Sequence, residues 1–372
     1  MLSVKQKSLL WGCLSIVCCI LLIAMISCSD DNATGPGGSD SFWSVVTPED
    51  VNLDGAILDE LTEKLTSGEY GRIKSMLIIR NGKIAYEKYL NGCCMNDRQE
   101  VHSVTKSVTS ALIGFAVDEG KLSLDEKILS HFQDYGIPGN MSPEKANLTV
   151  EDILTMRAGY DWDEETYPYD DGRNYYSMLQ AQTDYYSYMI NAKVENMPGE
   201  TFCYNSGGSI LLARVIENSS GMDVISYAEQ KLFGPLGITD YTWYKWKRGT
   251  DHEVNTASGL VLRPRDMAKI GYLYLNDGVW EGQQIISKDW IDKSITPYTD
   301  FGGYGYGLHW WVDQIDDGKT ECCMPFVDGF GGQYIMYIKD YDMVVIFTAD
   351  EYDEDEKLRD VIVDYVTPAV KD

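Results

Sequence analysis

What most constrains the fold of this chain is a pair of β-hairpin signals set at its two ends. Near the start, Ser75-Met-Leu-Ile-Ile-Arg80 and Lys83-Ile-Ala-Tyr-Glu-Lys-Tyr89 flank Asn81-Gly82. An Asn-Gly pair between two apolar-rich runs suits a two-residue turn whose central residues both need positive φ. Near the end, Gln333–Ile338 and Met343–Thr348 flank Asp340-Tyr341-Asp342. Between these hairpins the apolar spacing is mostly helical. It predicts helices over Val104–Glu119 (with Val104, Val108, Leu112 and Phe115 on one face and Gly120 as the stop), from a Thr149 cap onward, and over Ser209–Asn218, Val224–Leu232 and Pro264–Leu275. Two more helices are predicted outside the hairpins, over Asp54–Leu65 and Glu354–Val366. There is no internal repeat. Strands at both ends with helices between them predict an α+β domain: one sheet from the two chain ends, with a helical subdomain at roughly 107–300.

The first residues read as targeting rather than fold. Lys5 and Lys7 precede an apolar run, Leu9–Ile26, and then Ser27-Cys28. A basic start, an apolar stretch and a small residue before a cut describe an export signal. A plain membrane anchor is the competing reading, since a run of about 18 apolar residues can just cross a bilayer. Ala24-Met25-Ile26-Ser27-Cys28 resembles a bacterial lipobox, with Met25 where Leu is usual, and Cys28-Ser29-Asp30-Asp31 resembles the acidic start of surface lipoproteins in Bacteroidetes-type bacteria. The expectation is a signal peptide over 1–27, a lipid on Cys28, a Gly/Ser/Asp/Pro-rich tether over 28–42, and a catalytic domain over 43–372. Such a protein is anchored by lipid in the bacterial cell envelope, at the outer membrane or cell surface.

Charge and cysteines exclude other classes. A formal net charge of −27 argues against nucleic acid as a partner. Cys93, Cys94, Cys203, Cys322 and Cys323 remain beyond the lipobox. Export permits disulfides, but their pairing is not readable from sequence. No Cys-x-x-Cys is present, and His102, His131, His252 and His309 form no HExxH pattern. No metal or other cofactor is expected.

Three motifs carry chemistry. Ser103-Val104-Thr105-Lys106 opens an apolar helix, with Lys106 one turn on from Ser103. A hydroxyl needs a base before it can act as a nucleophile. A lysine in a dry site can lose its proton, or lower the pKa of a nearby tyrosine. A capping serine explains the same spacing equally well, and Ser142-Pro143-Glu144-Lys145 repeats it in a polar stretch that reads as a surface helix start. Tyr204-Asn205-Ser206-Gly207-Gly208 offers a phenol beside small residues, and a core tyrosine is its bland reading. Asp328-Gly329-Phe330-Gly331-Gly332-Gln333 leads into a strand, where glycines let a substrate meet backbone N–H groups; a tight turn is the alternative.

The order of these motifs resembles the serine β-lactamase and penicillin-binding protein superfamily in its class C-like branch, which also holds esterases and 6-aminohexanoate-dimer hydrolases. The likeness runs from about Trp43 to Asp372. It is carried by Val101–Gly114, Asp152-Ile-Leu-Thr-Met-Arg-Ala-Gly159, Tyr204–Leu212, Pro264-Arg-Asp-Met-Ala-Lys269 and Gly303-Tyr-Gly-Tyr-Gly307. The resemblance implies a β-lactamase/transpeptidase-like fold and an acyl-enzyme on Ser103. Lys106 and Tyr204 would share the proton transfers, with either as the base. The Ser103 N–H and one near Gly332 or Gln333 would form the oxyanion hole, with Asn205, Ser206, Phe330 and Gly331 beside the substrate.

Two departures from the pattern narrow the substrate. The family's Tyr-x-Asn reads Tyr204-Asn205-Ser206 here, and Phe330-Gly331-Gly332 stands where Lys-Thr-Gly or His-Thr-Gly is usual. Both bear on β-lactam recognition and leave the nucleophile in place. A serine hydrolase acting on a small or peptide-like ester or amide is therefore expected, with little β-lactamase activity. An α/β-hydrolase is excluded, because no serine sits in GxSxG. The alternative is a surface lipoprotein that binds peptide or glycan without turnover, using Tyr160, Trp162, Tyr167, Tyr175, Tyr176, Trp310 and Trp311 as an aromatic face.

Overall fold

The computed structural model describes residues 42–246, 253–316, 318, 321–352 and 358–371. The expected signal segment, Cys28 and its lipid, the tether up to residue 41, and His252 lie outside the described residues.

Both hairpins form, and they meet in one nine-stranded sheet. Its strands in chain order are β1 Ser44–Val45, β2 Ile73–Arg80, β3 Lys83–Tyr89, β4 Thr299–Phe301, β5 Tyr304–Tyr306, β6 Trp311–Asp316, β7 Glu321–Gly329, β8 Gln333–Ile338 and β9 Met343–Ala349. In space they run β1-β3-β2-β9-β8-β7-β6-β5-β4, antiparallel except for the β1–β3 pair. The junction of the two chain ends is the β2–β9 ladder, with Ile78 opposite Val345 and Leu77 opposite Ile346. Alternate residues enter two cores. Leu77, Ile79, Val344 and Ile346 face one, and Met76, Ile78, Val345 and Phe347 face the other. Burial on both faces explains why these strands read as apolar runs instead of alternating.

Helix α1, Gly55–Ser67, and the C-terminal turns over 358–366 cover the second face. Asp54 caps α1 by accepting the Ala56 N–H, and Gly68 ends it at φ 79°. The first face carries α2 Val104–Asp118, α3 Ser206–Ser220 and α4 Pro264–Leu275. The structure extends α3 at both ends relative to the predicted Ser209–Asn218, because Asn205 caps it and Gly221 stops it.

Helix α2 is buried all round from Val104 to Ala116, not on one stripe. Its small polar residues make this possible by meeting loop groups. The Thr105 hydroxyl accepts from the Leu260 N–H, and Thr109 donates to the Thr256 carbonyl. Ser107 and Ser110 donate to the carbonyls of His309 and Leu308 at 2.6 and 2.8 Å. Each bond removes the penalty of an unsatisfied buried hydroxyl, about 1–3 kcal/mol. Helix α2 is thus fixed both by apolar packing and by hydrogen bonds to the loops around it.

Candidate active site

The chain reaches α2 under restraint. Gln99–Glu100 pairs with Leu260–Leu262, and the Val101 N–H donates to the Leu260 carbonyl at 3.0 Å. His102 then takes φ 45°, a left-handed conformation that a non-glycine residue adopts only where its surroundings enforce it. Ser103 follows as the residue before the first helical turn, yet its hydroxyl caps nothing. Instead Lys106 Nζ lies 2.9 Å from Ser103 Oγ and 3.1 Å from the Ala257 carbonyl. The capping alternative for this motif is therefore not what the hydroxyl does.

Ser142 shows the contrast. Its hydroxyl accepts the Lys145 backbone N–H, as a helix cap does. Lys145 Nζ turns away to Asn140 Oδ1 and the Ile190 carbonyl at 2.6 and 2.9 Å. Burial holds both lysines at about 8. What separates the two motifs is where the ammonium points.

Lys106 is only 1% exposed. Desolvation is the main cause of its drop to about 8, and the charges of Glu164 and Asp328 partly oppose it. Its Nζ sits 4.9 Å from the centre of the Tyr204 ring. Burial drives the Tyr204 phenol well above its usual range, with Tyr306, Tyr169 and Glu164 adding to the rise, while a hydrogen bond with Ser103 favours the phenolate. His309 is a buried neutral imidazole held at about 3 by burial and by Lys106. Its ring nitrogens lie 3.1 Å from the Lys106 carbonyl and 3.2 Å from Ser209 Oγ, so it ties α2 to α3.

Ser103 opens into a pocket of about 180 Å³ that is also lined by His102, Tyr169, Tyr176, Gln180, Ser206, Ser258 and Phe330. Of the residues expected beside the substrate, Ser206 and Phe330 line this pocket. The others are placed differently. Asn205 is buried and its Oδ1 caps α3 by accepting the Gly208 N–H. Gly331 and Gly332 form the β7–β8 turn, because the ladder closes with Gly329 opposite Gln333. A Cβ on Gly331 would meet Tyr352, and one on Gly332 would meet Ala349, so both pack toward the chain end. Gln333 is buried and donates to the carbonyls of Gly331 and Ala349. The part of this stretch that reaches the Ser103 pocket is one step earlier. A Cβ on Gly329 would fall 2.3 Å from the Val101 carbonyl oxygen, and Phe330 reaches the pocket rim. The ladder with β6 ends at Trp311 opposite Phe326, which leaves the following backbone of β7 as an open edge.

Sequence reasoning missed Glu164. This carboxylate is 3% exposed and accepts the Ser206 N–H at 2.8 Å, the Ser206 hydroxyl at 2.7 Å and the Trp162 indole N–H at 2.6 Å. It therefore positions the start of α3, and so Tyr204. It lies in Asp161-Trp-Asp-Glu-Glu165, an acidic run that reads as solvated loop. The expected aromatic face is also corrected. Tyr160, Trp162 and Trp310 are core, with Trp310 fully buried against Tyr274 and Tyr337, while Tyr176 does reach the pocket. Among the described residues, no cluster of His, Cys, Asp and Glu is placed to hold a metal.

The family model described as Beta-lactamase matches residues 69–366. The 6-aminohexanoate-dimer hydrolase of Paenarthrobacter ureafaciens is 22% identical over 274 residues, 66% of this chain and 66% of that enzyme's own length. Among solved structures, EstCE1, a hydrolase with promiscuous acyltransferase activity, superposes with a TM-score of 0.66 at 14% identity, covering 83% of this chain and 99% of that one. The penicillin-binding protein of Bacillus halodurans gives 0.61 at 18%, covering 80% and 95%. With the family model spanning most of the chain and the fold shared with a penicillin-binding protein and a hydrolase, the chain belongs to the β-lactamase family, in the β-lactamase/transpeptidase-like superfamily.

Proposed function

We propose that this chain is a serine hydrolase that cleaves an ester or amide through an acyl-enzyme on Ser103. The observation that carries the reading is the 2.9 Å contact between Lys106 Nζ and Ser103 Oγ in a site dry enough to hold the ammonium at about 8. The relatives named above favour a hydrolase, and one of them is by name a hydrolase of a 6-aminohexanoate dimer.

The roles divide by proton affinity. Tyr204 keeps its proton at neutral pH, whereas Lys106 is neutral in part, so Lys106 is the base for Ser103. Ser103 Oγ attacks the carbonyl carbon as its proton passes to Lys106. The oxyanion develops toward the Ser103 N–H at the start of α2 and the N–H of Phe330, the turn residue just past the end of β7. The C–O or C–N bond then breaks as the leaving atom takes a proton through Tyr204, which Lys106 reprotonates. Water repeats the sequence on the acyl-enzyme and releases the acid.

The pocket also argues for a substrate without a carboxylate. Among the described residues its lining includes no lysine or arginine, and burial keeps His102 below its usual range. Slow turnover of a chromogenic cephalosporin is expected, and rapid turnover would overturn that point. The central test is labelling with a fluorophosphonate probe: wild type labels, Ser103→Ala does not. Absence of a Ser103-dependent label overturns the hydrolase reading. We propose on sequence grounds that Cys28 carries a lipid anchoring the protein in the cell envelope. Incorporation of an alkyne fatty acid should then vanish in Cys28→Ser.

A further inference from the structure

The hydroxyls that line the Ser103 pocket are polarised in one direction. Ser206 and Tyr169 both spend their protons on Glu164: the Ser206 hydroxyl donates to Oε1 at 2.7 Å, and the Tyr169 hydroxyl donates to the same atom at 3.3 Å. A hydroxyl whose proton is committed can offer a ligand only its lone pairs. Tyr176 and Ser258, also in the lining, bond to each other at 2.6 Å and spend one more proton within the wall.

A charge stands directly behind these hydroxyls. Besides them, Glu164 accepts the Ser206 N–H at 2.8 Å and the Trp162 indole N–H at 2.6 Å. All of these donors are neutral, so they solvate the carboxylate without cancelling its charge. Glu164 is 3% exposed, and its field reaches Lys106, whose ammonium it favours. Aromatic rings complete the lining. Tyr169 meets Phe330 at 4.9 Å and Tyr176 at 6.0 Å, with interplanar angles of 71° and 83°. Rings set at right angles form the sides of a box, and their faces attract a cation. Lone pairs, ring faces and a buried carboxylate all favour one ligand, a positive charge bearing N–H bonds. The volume of about 180 Å³ holds roughly six non-hydrogen atoms at ~30 Å³ each.

We propose that this pocket takes an acyl group ending in an ammonium, whose charge is read by Glu164 through the Ser206 and Tyr169 hydroxyls. The proposal rests on the Ser103 reading for one point, that the bound group is the acyl half. Tyr204, which hands the proton to the leaving atom, is not among the described residues that line the pocket, so the half held here is the one that stays on Ser103. A cation site beside Ser103 stands whether or not Ser103 reacts.

NMR titration of Ser103→Ala tests the cation site without requiring turnover. 5-Aminopentanamide should bind about tenfold or more tighter than hexanamide, in which a methyl replaces the ammonium. The monoamide of glutaric acid, which ends in a carboxylate, should bind more weakly than either. In the same background Tyr169→Phe keeps the ring, removes the lone pairs and should reduce the preference for the amine several-fold. Glu164→Gln should abolish that preference. With turnover, wild type should favour the p-nitroanilide of 5-aminopentanoic acid over that of hexanoic acid by about tenfold in kcat/KM, and Glu164→Gln should bring the ratio close to one. A purely structural role for Glu164 would lower both values and leave their ratio unchanged. Failure of the amine to bind Ser103→Ala, equal binding of amine and hexanamide, or a preference untouched by Tyr169→Phe would overturn the cation site. Selective binding of the amine, with no turnover of its anilide or a ratio of one in wild type, would overturn the acyl assignment. Failure of Ser103 labelling would strike the hydrolase reading and leave the binding result standing.

Discussion

Raising the pH should switch this site on through Lys106. In water a lysine titrates near 10.5, so about one in 3,000 is neutral at pH 7. In the pocket it is held at about 8, where about one in ten is neutral at pH 7. Burial thus increases the supply of free amine about 300-fold at neutral pH. The same displacement amounts to about 3 kcal/mol against the ammonium inside the fold. Because the folded value lies below the unfolded one, the native state holds fewer protons between about 8 and 10.5, and Lys106's contribution to stability rises with pH across that window. The assay is kcat/KM for a small ester whose turnover is lost in Ser103→Ala, measured from pH 5 to 10. It should climb about tenfold between pH 7 and a plateau above 9, with a midpoint near 8. Lys106→Arg, which cannot release its proton, should lose about a hundredfold to ten-thousandfold and show no rising limb. A profile that is flat from pH 6 to 9, or one with its midpoint near 10.5, would refute the assignment of Lys106 as a desolvated base.

Three further outcomes follow from particular contacts. Ser103→Ala should leave the melting temperature nearly unchanged, since that hydroxyl caps no helix N–H, while a true capping serine costs about 1 kcal/mol; differential scanning calorimetry reads the difference. Glu164→Gln should lower the pH midpoint of kcat/KM, by removing a charge that holds the Lys106 ammonium up. It should also destabilise the fold by about 2–4 kcal/mol, because two of the four donors to this carboxylate then face an amide nitrogen; a midpoint that stays or rises argues against the coupling. Gly329→Ala should cut kcat/KM by about tenfold or more and also lower the melting temperature, because its Cβ would push the Val101 carbonyl and with it the turn into Ser103; unchanged kinetics in the folded variant would show that this edge does not set the position of Ser103.

The chain's own residues determined the fold class. Two hairpins at opposite ends and periodic helices between them leave few arrangements besides one sheet built from both ends. The structure places Gln333–Ile338 and Pro264–Leu275 where the pattern put them. These elements were legible because their signals are local: a turn dipeptide, a cap, an apolar period. Lys106 was legible as Ser103's neighbour for the same reason, since helical spacing alone puts residues three apart on one side.

Other features depended on contacts between distant segments. Periodicity gave α2 one buried face, but Leu260, Thr256, Leu308 and His309 supply partners that bury the rest. The Gly-rich stretch after Asp328 looked like one binding edge. The ladder register decided that Gly329 packs on Val101 and Phe330 reaches the Ser103 pocket, while Gly331, Gly332 and Gln333 turn toward Ala349 and Tyr352. Glu164 carried no local mark, and it became a buried anchor only when the start of α3 closed over it. Sequence thus determined which groups are capable of the chemistry. Desolvation and direction, which arise only when remote segments pack together, decided that Ser103 and Lys106 face each other in a dry pocket and that Ser142 and Lys145 do not.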